Sequence, residues 1–284
     1  MSAATGRPEQ AGAPLGASED AKRRAWGADV SPSWILLRGL TRESGHWGGF
    51  PDILRKHLPE GAQVLALDLP GTGRLNQARS PARIEATMEA CRHQLQALGI
   101  APPWHLLALS LGAMVAVEWA VRHPHELAGC VLVNTSLRPF SPWPQRLRPA
   151  NYGALLGLLL APQMPRRREQ SILRLTSRRP AEAGAAVLDE WTTLRQTRPV
   201  SHANALRQLL AAARYRAPAK APAVPLLVLA SQGDALVDVR CSRRLAQQWG
   251  AELVEHPWAG HDLPLDDGRW LAGEVGRWNR ARCG

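Results

Sequence analysis

The run from Trp104 to Ala120 constrains this chain more than any other stretch. Trp104-His105-Leu106-Leu107-Ala108-Leu109 is almost unbroken apolar sequence, the pattern of a strand covered on both faces. Leu111 to Ala120 is also apolar but built from smaller residues, and reads as a buried helix. Ser110 stands at the junction, with Ala108 two positions before it and Gly112 two after. A strand that turns directly into a helix brings the two backbones close together, so small residues are needed on either side of the turn. The sharp turn also holds the serine side chain out at the carboxyl end of the strand. The spacing is that of G-x-S-x-G, with alanine in place of the first glycine. A second reading of the same residue is a serine that caps a buried helix, a preferred use of its hydroxyl.

An exposed serine becomes a nucleophile only beside a base that takes its proton and an acid that orients the base. Both candidates lie downstream. Pro225 to Ala230 is a continuous apolar strand, followed by Ser231-Gln232-Gly233-Asp234. Asp234 therefore sits just past a strand end, where functional residues of open α/β sheets gather. A helical stretch from Cys241 to Trp249 and a short strand from Glu252 to His256 come next. Pro257-Trp258-Ala259-Gly260-His261-Asp262 then forms a loop before a terminal helix. Chain order and strand placement make Ser110, Asp234 and His261 one candidate set.

On these three motifs, from about residue 33 onward, the chain resembles α/β-hydrolase-fold serine hydrolases. The branch in question is that of small esterases with a helical lid inserted after the sixth strand of the family's sheet. The resemblance implies Ser110 as nucleophile, His261 as general base then acid, and Asp234 as its orienting acid. It implies no cofactor. It also places the oxyanion hole. One backbone N–H is that of Leu111, and the other comes from the loop Arg38-Gly39-Leu40-Thr41 after the first core strand, by position Leu40. The family usually has histidine where this chain has Arg38. The oxyanion donor is a backbone group, so the substitution leaves it intact but puts a permanent cation beside the site. Arg38 is expected either to meet substrate or to form a buried ion pair with a carboxylate such as Glu43. His46 and Trp47 open the next helix and are candidates for lining the substrate pocket or for packing.

Strands are expected at 33–38, 63–67, 104–109, 128–134, 225–230 and 252–256, and helices at about 46–57, 81–98, 111–122, 238–249 and 264–281. This alternation argues for a mostly parallel sheet flanked by helices. It assigns 31–136 and 223–284 to an α/β core. The alternation stops after Thr135, and 137–222 reads as a helical insertion, the expected lid. Residues 1–30 read as a disordered lead-in rather than a secretory signal. No stretch approaches the ~20 apolar residues of a membrane span. The four cysteines show no paired spacing, which points to free thiols and a cytoplasmic setting. Asp68 to Gly73 lacks the lysine and spacing of a phosphate loop and reads as a structural turn. No metal-binding spacing appears, and His123 and His125 suit a helix C-terminus better than a metal.

Charge is distributed unevenly. Residues 1–136 hold 13 basic and 12 acidic side chains, 137–222 hold 15 and 4, and 223–284 hold 7 and 8. The whole net charge of +11 thus falls on the insertion, almost all of it arginine, including Arg166-Arg167-Arg168 and Arg178-Arg179. Such a surface attracts polyanions, among them an acidic carrier protein or an anionic substrate. An arginine-biased composition landing on a solvated surface is the plainer account. The expected activity is hydrolysis of a small-molecule carboxylic ester or thioester. A thioesterase, an acyltransferase or a carbon–carbon bond hydrolase would carry the same triad, and a binding module could keep the fold without the chemistry.

Overall fold

The computed structural model of the protein describes residues 33–160, 164–179 and 184–283. The lead-in expected over 1–30 lies outside them. Six strands form one parallel sheet: β1 (Ser33–Leu37), β2 (Val64–Leu67), β3 (Trp104–Leu109), β4 (Leu127–Val133), β5 (Leu226–Ser231) and β6 (Glu252–His256). Each agrees with its expected range to within one residue at either end. The spatial order is β2-β1-β3-β4-β5-β6.

The side-chain period of two explains the layers. Ile35 and Leu37 of β1 face one apolar cluster, while Trp34 and Leu36 face the other. The inner strands repeat the alternation, with Leu106 and Ala108 opposed to Leu107 and Leu109 on β3, and Cys130 and Leu132 opposed to Val131 and Val133 on β4. Both faces are therefore covered, as a parallel sheet requires. Helices α1 (Phe50–Arg55), α2 (Ile84–Ala97) and α3 (Leu111–Arg122) belong to the first half of the chain. Between β4 and β5 come α4 (Trp143–Arg146), α5 (Tyr152–Leu160), α6 (Pro165–Thr176), α7 (Gly184–Thr197) and α8 (His202–Arg214). Helices α9 (Arg240–Trp249) and α10 (Leu263–Cys283) close the chain. Met88, Trp119 and Leu245 of α2, α3 and α9 cover one face, and Phe50 and Val275 of α1 and α10 cover the other.

Two expectations need correction. The helix expected over 46–57 is a single 3-10 turn, Ser44–Trp47, and the short α1, because Gly48 at φ 51° breaks the helix between them. The terminal helix is bent at Asp267 (φ −152°, ψ 72°), whose Oδ1 accepts the Trp270 N–H at 3.0 Å and caps the second segment. The helical stretch α4 to α8 follows the fourth strand of the described residues, with β5 and β6 after it. Cys91, Cys130 and Cys241 are buried and unpaired, and burial pushes the Cys91 thiol up to about 12. Among the described residues no helix is long and apolar enough to cross a membrane.

Candidate active site

The sheet order places the site. From β1 the chain first steps to β2 on one side, then crosses back to β3 on the other. Ligand crevices of open α/β sheets lie beyond the carboxyl ends of the strands at such a switch point. Leu37 of β1 is paired with Ala108 of β3. The residues that follow, Arg38-Gly39-Leu40 and Ser110, are therefore neighbours by register.

Ser110 has φ 92° and ψ −96°, a left-handed conformation that a non-glycine residue adopts only under constraint. The constraint is the packing of α3 against the end of β1. A Cβ on Gly112 would lie 2.5 Å from the Leu37 carbonyl oxygen, so the second small residue of the motif is required to be glycine. Ala108 stands at the other position, wholly buried between β1 and β4, where its methyl fits. Thr135 donates from Oγ1 to the Ser110 carbonyl at 2.9 Å and holds the turn from the β4 side.

The three expected side chains meet. His261 Nε2 lies 3.0 Å from Ser110 Oγ, and its Nδ1 lies 2.7 Å from Asp234 Oδ2. Asp234 is itself fixed, with Oδ1 accepting the N–H groups of Leu236 (2.8 Å) and Val237 (3.0 Å). Its approach to the histidine loop depends on Gly233, where a Cβ would stand 2.0 Å from the Trp258 carbonyl oxygen. Asp238, the other carboxylate after β5, is turned to Arg240 at 2.7 Å. Burial pushes the His261 imidazole toward the neutral form, but the charge and hydrogen bond of Asp234 outweigh burial and hold its pKa above the ordinary 6.5. The N–H groups of Leu40 and Leu111 donate to no group among the described residues, and both residues line the same cavity as Ser110.

Arg38 is 1% exposed and forms a two-pronged pair with Asp262, Nη1 to Oδ1 at 3.0 Å and Nη2 to Oδ2 at 2.6 Å. The expected partner, Glu43, lies past the turn at Thr41 and pairs instead with Arg198 at 2.9 Å. Arg38 thus contributes to the cavity wall while tying the β1 loop to the residue after His261. His46 and Trp47 do not reach this cavity. His46 Nδ1 accepts the Glu43 N–H, and its ring packs edge-on against Trp191 in a separate cleft. Burial, with Arg42 and Arg38 nearby, holds it neutral. Trp47 lies under the Arg38 guanidinium, 4.9 Å from it, and stacks on Phe50.

Several contributors carry no sequence motif. Asn134, at the end of β4 with φ 46°, donates to the carbonyls of His261 (3.0 Å) and Gly260 (3.2 Å). Asp262 N–H donates to the Thr176 carbonyl of α6 at 2.8 Å. Arg42 pairs with Glu169 of α6 at 2.6 Å, and Glu169 also receives Arg195 of α7. The cavity beside Ser110 measures about 240 Å³. Helices between β4 and β5 supply much of its apolar wall through Leu155, Leu158, Ile172, Leu175 and Leu209. His123, His125 and Glu126 bring ligand-capable atoms within 4.8 Å of one another beyond the far end of α3, but Glu126 is engaged by Arg92 and Trp119, and His123 by Glu89. Asp68, in the turn after β2, accepts the N–H groups of Ser44 and Arg74.

A parallel sheet with a serine elbow at its switch point, backed by histidine and aspartate from the last two strand ends, describes an α/β hydrolase. The family model described as serine aminopeptidase, S33, matches residues 35–267, and the chain belongs to that family of α/β hydrolases. A pimeloyl acyl-carrier-protein methyl ester esterase from Aromatoleum aromaticum is 30% identical over 242 residues, covering 81% of this chain and 91% of that protein. Among solved structures, the enol-lactonase of Burkholderia xenovorans LB400 superposes with a TM-score of 0.70 at 20% identity, covering 89% of this chain and 93% of that one. A thermophilic esterase from Thermogutta terrifontis does so with a TM-score of 0.67 at 20% identity, covering 89% and 91%. Both share the fold.

Proposed function

We propose that this hydrolase cleaves a carboxylic ester or thioester through a covalent acyl-enzyme on Ser110. The observation that carries the reading is the unbroken hydrogen-bond chain Ser110–His261–Asp234 beside a largely apolar cavity. His261 takes the Ser110 proton as the oxygen attacks the carbonyl, then returns it to the leaving group. Asp234 fixes the imidazole and offsets its positive charge. The Leu40 and Leu111 N–H groups receive the oxyanion. Water activated by His261 then releases the acid. No step calls for a cofactor.

In this reading, 31–136 and 223–284 form the core, and 137–222 form a lid over Ser110 that selects the acyl group. Replacing Ser110 with alanine tests the assignment. Turnover of an activated ester should fall by about 10⁶, the loss seen when such a triad loses its serine. Labelling by a fluorophosphonate should disappear with it. A Ser110→Ala variant that retains a tenth of the activity refutes the reading, and a wild-type protein that never labels is a binding module.

A second reading concerns the leaving group. The Aromatoleum aromaticum relative is named for an ester carried on acyl-carrier protein, and this insertion bears exposed arginines at 167, 174, 214 and 216. An acidic carrier protein docking on that surface would deliver its acyl chain to the cavity.

A further inference from the structure

Four arginines contribute to the wall of the cavity beside Ser110: Arg38, Arg42, Arg146 and Arg168. Two are neutralised in place, Arg38 by Asp262 and Arg42 by Glu169. Arg146, on α4, is not. It is 6% exposed, and among the described residues it has no carboxylate partner. Its Nη2 donates to the Ala212 carbonyl at 2.9 Å, while Nε and Nη1 are buried without an acceptor among the described residues. The carbonyl end of α8 carries only a partial negative charge, and Arg138 shares it through Ala213 at 3.2 Å. Burial and the repulsion from Arg138 both push the Arg146 pKa below its ordinary value.

A guanidinium buried without a counter-anion is costly, and proteins rarely keep one. Here it adjoins a cavity whose other walls are largely leucine, isoleucine, valine and alanine, in a low-dielectric space where one positive charge acts strongly. Arg168, on α6, adds a second cation with no carboxylate partner among the described residues, and it is less buried. An aliphatic chain ending in an anion satisfies both features of the space.

We infer that Arg146 receives an anion at the distal end of the acyl group, and that the preferred substrates are half-esters or half-thioesters of dicarboxylic acids. The inference rests on Ser110 as the nucleophile for the reaction, while the anion site itself rests on Arg146 alone.

Paired substrates test it: monoethyl adipate against ethyl hexanoate, and monoethyl suberate against ethyl octanoate. The wild type should favour the carboxylate-tipped member of one pair or both. Arg146→Gln should lower kcat/KM for that member about 10- to 100-fold, the worth of a hydrogen bond to a charged group, with the loss in KM. Arg146→Lys should restore part of it, and the loss for the neutral ester should be several-fold smaller than for the carboxylate-tipped one. A purely structural arginine would instead lower both esters together in both variants. Binding gives a readout without turnover. Calorimetry on Ser110→Ala should detect adipic acid monoamide but not hexanamide, and Arg146→Gln should abolish the signal. Monoamide binding through Arg146 without any ester hydrolysis would leave the anion site standing and remove the hydrolase reading. Hydrolysis of neutral esters with no preference for the half-esters, and no difference between the two amides, overturns the anion site and leaves the hydrolase reading intact.

Discussion

The Arg38–Asp262 pair offers the sharpest energetic test, because both partners are almost wholly removed from water, at 1% and 4% side-chain exposure. Two charge-assisted hydrogen bonds join them, and the Arg38 guanidinium also lies over Trp47. Removing one member of such a pair strands the other charge in the interior, which costs about 3–5 kcal/mol. Arg38→Met and Asp262→Leu should each cost that amount, with Arg38→Met at the upper end because it also loses the contact with Trp47. In a chain of this length, about 2–4 °C of Tm accompanies each kcal/mol, so each single variant should melt roughly 6–20 °C lower. The double variant removes both charges at once and should be more stable than the sum of the two losses, by at least about 2 kcal/mol. Urea titrations of the four proteins, analysed as a double-mutant cycle, give the number directly. Single losses under about 1 kcal/mol, or simple additivity, would show that the pair is solvated in solution and does not organise the loop carrying His261.

Asp234→Asn should lower kcat by about 10⁴, because the imidazole loses its orienting acceptor, whereas Asp238→Asn should change activity little; parallel kinetics with a p-nitrophenyl ester decide between them. The pH profile follows from the raised His261 pKa. The base form is required, and a raised pKa keeps the imidazole protonated to higher pH, so kcat/KM should fall toward acid with a midpoint above 6.5. In Asp234→Asn that midpoint should drop, since the main influence raising it is gone and burial alone lowers it. For the basic insertion, the informative variant changes Arg167, Arg174, Arg214 and Arg216, because Arg166 is paired with Asp189 and Arg168 reaches the cavity wall. Replacing those four with glutamine should slow an ester borne on an acidic carrier protein and leave a small neutral ester alone. The difference should vanish as the Debye length shrinks from about 10 Å at 0.1 M salt to about 3 Å at 1 M. A neutral ester that responds equally would reduce these arginines to ordinary solvated surface.

Local patterns carried the architecture because they report short-range physics. Strands buried on both faces are apolar along almost their whole length, so β3, β4 and β5 could be read to within one residue at either end. A serine between Ala108 and Gly112, an aspartate behind Gly233 and a histidine behind Gly260 are each placed by a tight turn at a strand or loop end. The meeting of Ser110, Asp234 and His261 was therefore legible before any coordinates. Contacts between distant segments were not. For Arg38 the sequence leaves open substrate contact or an ion pair with a nearby carboxylate such as Glu43, but Arg38 is paired with Asp262, 224 residues away. No periodicity announces that choice, because it depends on the order in which strands assemble in the sheet. The same holds for Asn134, which braces the histidine loop, and for His46 and Trp47, which pack against Trp191 and Phe50. The charge excess of the insertion could be counted from the sequence. Which arginines face solvent, which are paired and which is buried beside the cavity without a counter-ion was decided only when α4, α6 and α8 closed around Ser110, since burial and pairing belong to the assembled structure.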